Sequence, residues 1–196
     1  MAQSEVKSIL IAGVGGQGTV LTARVLSRLL LQRGYDIKVS EIHGMSQRGG
    51  SVVTQVRYGD KVHSPIIAPK SADHIIGFEL LEGVRALPYL KEGGTIIVNE
   101  QRIKPMPVVI GKAPYPDDLE DFLRHCGAQA KLFDAHLLAM KAGNAKCLNM
   151  VMLGAWAKNA GLELEEEECL STVAANVPPK FLEVNIDGFK RGYHAF

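Results

Sequence analysis

The stretch Ile9-Leu10-Ile11-Ala12-Gly13-Val14-Gly15-Gly16-Gln17-Gly18 limits what this chain can fold into more than any other. An apolar run of strand length stops at a glycine-rich turn, and an amphipathic helix pattern begins at Thr19. Gly13, Gly15 and Gly18 keep the G-x-G-x-x-G spacing in the context it requires, a strand before and a helix after. Glycine lets the backbone turn sharply and come close to a ligand, and the free N–H groups of the new helix then face any bound anion. A helix start carries about half a positive charge, which favours a phosphate there by roughly 0.3–1 kcal/mol. A tight strand-to-helix turn without a ligand satisfies the spacing equally well. The extra Gly16 and the polar Gln17 go beyond what such a turn needs. Gly13, Gly15, Gly16, Gln17 and Gly18 are therefore candidate ligand-binding residues.

The first helix is expected over 19–32, with Val20, Ala23, Leu26 and Leu30 on one face, and Gly34 ends it. Residues 35–40 then predict a second strand, completing a βαβ unit with a parallel crossover. Glu41 closes that strand about 20 residues after the glycines, where a dinucleotide-binding protein keeps its ribose acid. A stand-alone NAD- or flavin-dependent oxidoreductase is thus a live alternative. The loop His43-Gly44-Met45-Ser46-Gln47-Arg48-Gly49-Gly50-Ser51 sits at the carboxyl end of that strand, where open α/β sheets take ligands. Glycines, hydroxyls and one guanidinium make a nest of donors suited to phosphate or carboxylate. The competing reading is a solvent loop with Arg48 paired to a surface acid. Ser46, Arg48, Gly49 and Gly50 join the candidate set.

Residues 52–58 alternate with period two and Gly59-Asp60 is a turn signal, so an antiparallel hairpin returning over 61–64 is expected to interrupt the parallel pattern. Strands follow at 72–78, 94–99, 106–110 and 131–135, with helices around 79–90 and 118–126, the latter capped by Asp118. From Asn144 to Ala160 the pattern is apolar nearly all round, as in a helix buried between neighbours. A further helix begins in the acidic run 163–168, and Val177-Pro178-Pro179 introduces a final one. The fold class is α/β: a Rossmann-like three-layer sandwich, mostly parallel, with an inserted antiparallel hairpin. The chain is expected to be one domain, 1–196, with the C-terminal helices of 144–196 packed on it.

A net charge of +1 gives no global field that would call for nucleic acid or an anionic membrane. No apolar run approaches the ~20 residues of a membrane span. The start lacks the apolar core of a signal peptide, so a cytoplasmic protein is expected. Cys126, Cys147 and Cys169 lie far apart with no C-x-x-C, so no zinc site or [4Fe–4S] cluster can be written from this chain and ordinary thiols are expected.

The turn Gly13-Val14-Gly15-Gly16-Gln17-Gly18, the octapeptide His43-Gly44-Met45-Ser46-Gln47-Arg48-Gly49-Gly50, Ala72-Asp73 and Val177-Pro178-Pro179-Lys180-Phe181 together resemble the gamma-type domain of 2-oxoacid:ferredoxin oxidoreductases. The octapeptide is most similar to the indolepyruvate branch of that family, and the likeness spans nearly the whole chain. The resemblance implies oxidative decarboxylation of an aryl 2-oxoacid with coenzyme A as co-substrate, giving acyl-CoA, carbon dioxide and reduced ferredoxin. It places thiamine diphosphate and the [4Fe–4S] clusters in a larger alpha subunit. This chain would hold no cofactor alone, cover the thiamine site, help bind coenzyme A and be inactive by itself. No residue in the sequence stands out as a catalytic acid, base or nucleophile. A nucleotide- or acyl-CoA-binding module without turnover remains a further alternative.

Overall fold

The computed structural model describes residues 5–44 and 49–196. Strand β1 (Lys7–Val14) is buried along almost its whole length. Its side chains alternate between two cores: Ile9 and Ile11 enter one, Leu10 and Ala12 the other. Covering on both faces is why the segment is a continuous apolar run rather than an alternating one.

Around β1 the chain lays down α1 (Thr19–Gln32), β2 (Asp36–His43), β3 (Ser51–Gly59), β4 (Ala72–Gly77), α2 (Leu80–Ala86) and β5 (Leu90–Asn99). There follow α3 (Met106–Val109), α4 (Leu119–His125), β6 (Gln129–Phe133), α5 (Ala135–Lys141), α6 (Leu148–Asn159), α7 (Glu166–Asn176) and α8 (Leu182–Tyr193). The six strands are ordered β2-β3-β1-β4-β5-β6. β1, β4, β5 and β6 run parallel, whereas β3 is antiparallel to both β1 and β2. On one face α1 and α6 lie against the sheet, with α7 and α8 packed outside them; α2 and α4 cover the other face. The α/β three-layer class expected from the sequence is the one observed.

Three local expectations are corrected. β2 does not pair with β1, because β3 occupies the place between them, so the first crossover is not closed into a parallel pair. The antiparallel ribbon is β2 with β3, and residues 61–64 form no strand. Side chains take over the backbone bonds there: Asp36 Oδ2 accepts from Val62 N at 2.7 Å, and Arg57 Nη1 donates to Ser64 O at 3.0 Å. The predicted strand at 106–110 is the short helix α3, whose Pro107 suits a first helical turn.

Smaller differences have equally local causes. Asp118 stands at the N-cap of α4 without a side-chain cap bond. α5 was not legible as a helix and is started by Asp134, whose Oδ1 accepts from Leu137 N at 2.7 Å. Val20, expected on the buried face of α1, is 42% exposed at the helix start.

α6 is apolar all round because it is enclosed on all sides, by the sheet, α1, α5 and α8. Its crossing with α8 is set by glycines. A Cβ on Gly154 would lie 2.1 Å from Phe189 O, and one on Gly192 would lie 1.9 Å from Val151 O. The two backbones touch, so any side chain must push the helices apart. Gly192→Ala should cost about 3 kcal/mol, a fall in Tm of roughly 6–12 °C for a chain of this size; a Tm within a degree or two of wild type would refute the close crossing.

At the opposite end of the strands from the glycine turn, Asp73 joins β1, β4 and β5. Its Oδ2 accepts from Ser8 N at 2.8 Å, and its Oδ1 faces Lys91 and, at 3.3 Å, Lys7. Burial pushes this carboxyl up, but the Lys91 hydrogen bond, the Ser8 amide and the Lys7 charge outweigh it and hold the group below the usual carboxylate range. A depressed folded pKa stabilises above the unfolded value and is lost as pH falls through the folded one. Asp73→Ala, which also leaves a buried amide unpaired, should cost about 1–3 kcal/mol near neutrality. The gap from wild type in urea unfolding should narrow as pH drops below ~4; a gap that does not change with pH would rule out the ion cluster as its source.

Candidate functional site

The site is built where β1 runs out. Its antiparallel ladder with β3 continues past the last strand residue: Gly15 N donates to Gly50 O at 2.8 Å, and Gly49 N donates to Gly15 O at 3.3 Å. The two glycine loops singled out in the sequence are therefore joined backbone to backbone. Ser51 Oγ then donates to Glu82 Oε2 at 2.6 Å, fixing the exit of the second loop against α2. Ser46 and Arg48 lie outside the described residues.

The residues of the first turn divide by what they touch. Gln17 folds back into the protein. Its Oε1 accepts from Val14 N at 2.8 Å, and its Nε2 donates to Phe78 O at 3.0 Å and to Gln101 Oε1 at 3.3 Å. The carboxamide thus spans the carboxyl ends of β1 and β4. The chain leaves these two strands in opposite directions across the sheet, so this is the crevice where an open α/β sheet would normally receive a ligand. Here a side chain fills it. Gly13 is needed for packing, since a Cβ there would meet Phe78 Cβ at 2.9 Å. Gly18 has φ +87° and backs onto Asn149, whose Nδ2 is 3.0 Å from where a Cβ would stand. Gly16 has φ +103° and nothing within 4 Å of its Cβ position, so it presents bare backbone to open space.

With the crevice closed, ligand space lies on the two flanks of the turn. On the β2 side a cleft of ≈ 390 Å³ is lined by Gly15, Gly16, Gly18, Thr19, Glu41 and His43. On the β5 side a cleft of ≈ 380 Å³ brings Gly16, Gly18, Gln101, His136 and Lys146 together. Between them stands the start of α1, with no side-chain cap at Gly18 and no acid in its first turn. The first amides of such a helix have no intrahelical acceptor. The site is one of backbone donors with one cationic flank and one acidic flank.

Glu41 does face the glycine turn, but from one strand further out than a dinucleotide ribose acid stands, because β3 separates β2 from β1. Gln101, His136 and Lys146 were not picked out from the sequence. Gln101 follows the end of β5, His136 lies in the first turn of α5 and Lys146 in the short turn before α6, and only their shared place beside the glycine turn could have signalled them. Asn144 caps its own turn by accepting from Lys146 N at 2.9 Å. Asn99 is buried and structural, bonding Phe78 O and Ala135 N. Burial pushes the Cys147 thiol up and the Cys169 thiol up to about 12, which suits packing rather than reactivity. Among the described residues no three His, Cys, Asp or Glu side chains gather as a metal would need. A larger hollow of ≈ 590 Å³ beside Leu87, Leu90 and Phe122 contains none of the sequence-predicted residues.

Because Gln17 pairs Val14 N, Gln17→Leu should leave a buried amide without a partner and cost about 1–3 kcal/mol. A calorimetric Tm lower by roughly 2–12 °C is expected; an unchanged Tm would move Gln17 from the scaffold to the ligand contacts.

Comparison with known proteins places the chain in a family. The family described as pyruvate ferredoxin/flavodoxin oxidoreductase matches residues 8–195. The chain is 40% identical over 191 residues to the indolepyruvate oxidoreductase subunit IorB of Thermococcus kodakarensis, covering 96% of this chain and 95% of that one. It is 39% identical over 190 residues to the subunit of the same name from Methanothermobacter thermautotrophicus, covering 96% of each. Among solved structures, the gamma subunit of a keto/oxoacid ferredoxin oxidoreductase from Geobacter sulfurreducens shares the fold, with a TM-score of 0.70 at 23% identity over 95% of this chain and 96% of that one. A family match over almost every residue, with two relatives near 40% identity, decides the assignment: the chain belongs to the pyruvate ferredoxin/flavodoxin oxidoreductase family.

Proposed function

We propose that this chain is the cluster-free subunit of a cytoplasmic enzyme that oxidatively decarboxylates aryl 2-oxoacids of the indolepyruvate type. Residues 1–196 act as one unit, and the larger alpha subunit beside it holds thiamine diphosphate and the [4Fe–4S] clusters. The overall change converts the 2-oxoacid anion and coenzyme A into acyl-CoA, carbon dioxide, one proton and two electrons, which pass to ferredoxin. The observation that carries the reading is the near-full-length likeness to subunits named for indolepyruvate oxidation.

Thiamine diphosphate, when bound in the partner, supplies the electron sink for loss of carbon dioxide. This chain's own residues do something simpler. The amides at the start of α1 and the open backbone at Gly16 offer donors to an anionic group, with no cap or acid competing for them. Gly15, Gly49 and Gly50 hold the end of the second loop against the first, and Ser46 and Arg48 of that loop complete the proposed binding set. The chain binds and orients coenzyme A and closes the partner's site against water. It supplies no acid, base or nucleophile, and alone it is inactive.

The test is reconstitution. The tagged chain, purified anaerobically with its alpha subunit, should reduce a viologen dye only when indolepyruvate and coenzyme A are both present, and neither subunit should do so separately. Dinucleotide binding or dye reduction by the isolated chain would overturn the subunit reading, and ligand binding with no turnover in any assembly would favour a nucleotide- or acyl-CoA-binding module. In the working complex Arg48→Ala should lower kcat/KM for coenzyme A about tenfold without loss of assembly; unchanged kinetics would remove Arg48 from the site.

A further inference from the structure

The segment between β5 and α4 holds the two most exposed large apolar side chains among the described residues. Met106 is 67% exposed and Val109 63%, with Ile110 next to them also more than half exposed, and α3 buries no residue of its own. Single exposed apolar side chains are ordinary, but a contiguous group of them marks a contact surface. The protrusion is nevertheless held in shape. Val108 N and Val109 N donate to Pro105 O at 2.9 and 3.1 Å, Ile110 N to Met106 O at 3.0 Å, and Lys112 N to Pro107 O at 2.8 Å. Both of its ends are tied to Glu79, a carboxylate only 1% exposed just beyond β4, whose Oε1 accepts from Ile103 N at 3.0 Å and from the Tyr115 hydroxyl. A segment that satisfies its own amides, is fixed at both ends and turns apolar side chains outward is ordered before it meets another surface, so docking it costs little entropy.

Charge and place decide what it meets. Residues 101–116 include Arg102, Lys104 and Lys112 and no acid. Arg102 pairs with Glu120, but among the described residues Lys104 and Lys112 enter no ion pair. A second copy of the chain brought onto this face about a twofold axis would set these cations against their own equivalents, which repel. An apolar hollow rimmed by carboxylates fits both the side chains and the charge. At the root of the segment, Gln101 and Ile103 line the β5-side cleft beside the glycine turn. A protein that covers the turn from that side therefore reaches the protrusion as well. Resting on the subunit reading, we infer that residues 106–110 are a docking anchor for the larger alpha subunit, which receives them in an apolar hollow with a carboxylate rim.

The test is the rate and strength of binding between the purified full chain and its alpha subunit, followed by interferometry. Val109 and Met106 are exposed, so Val109→Asp and the milder Met106→Ser should leave the fold intact, which an unchanged Tm verifies. Val109→Asp should weaken binding at least about tenfold, mainly through faster dissociation, and Met106→Ser should weaken it less. Lys104→Glu combined with Lys112→Glu should slow association and remove most of its dependence on ionic strength. Unchanged affinity in Val109→Asp would overturn the docking anchor, and association as fast and as salt-sensitive as wild type in the charge-reversed chain would overturn the carboxylate rim. Two other occupants are checked on the chain by itself. Self-association that Val109→Asp abolishes while alpha-subunit affinity is unchanged would assign the face to a second copy. Binding to phosphatidylserine vesicles lost in the same variant, again with alpha-subunit affinity unchanged, would assign it to a membrane. An active complex that tolerates Val109→Asp without loss of affinity defeats the anchor alone, whereas a wild-type chain that binds no alpha subunit defeats the subunit reading and the anchor with it.

Discussion

The carboxyl edge of this molecule depends on how the last amide of its central strand is satisfied. Val14 N lies where β1 has run out, and a buried amide left unpaired there would cost about 1–3 kcal/mol. The chain meets that need from within its own glycine turn, by the carboxamide of Gln17, which also reaches Phe78 O at the end of β4. One side chain therefore satisfies the strand, ties two parallel strands together and fills the crevice between them. A ligand is left with the flanks of the turn rather than its middle, and the donors it meets there are backbone amides.

The second organising constraint is the insertion of β3 between β2 and β1. It turns what begins like a parallel nucleotide-binding unit into a mixed sheet. It also moves the acid at position 41 one strand outward, by about 4.8 Å. The same insertion extends the β1–β3 ladder through Gly15, Gly49 and Gly50, so the end of the second loop is joined directly to the first. The topology thus weakens one ligand geometry and creates another from the same motif.

The helical side of the sheet is held by contact rather than by charge. Gly154 on α6 and Gly192 on α8 let two backbones meet, so the C-terminal segment is locked onto the face that also carries α1. Since α1 begins at the glycine turn and Asn149 of α6 abuts Gly18, the packing of these helices fixes the height and angle of the turn.

The sequence alone determined the parts governed by local chemistry. Continuous apolar runs identified β1 and β4, the 3.6-residue pattern with Gly34 bounded α1, and the all-round apolar stretch marked α6 as enclosed. The two glycine loops could be read because positive φ and close backbone approach leave glycine little competition. Strand order could not be read, because pairing is chosen by the whole sheet and β2 carries no mark saying which neighbour it will take. The same holds for 61–64, where the side chains of Asp36 and Arg57 replace a ladder, and for 106–110, which becomes a helix because no sheet edge receives it. Nor could the sequence say that Gln17 faces inward, or that Gln101, His136, Lys146 and Glu41 border one turn. Those residues are spread along the chain from position 17 to position 146. Only the closing of the sheet and the crossing of the helices bring them within reach of the same few backbone amides.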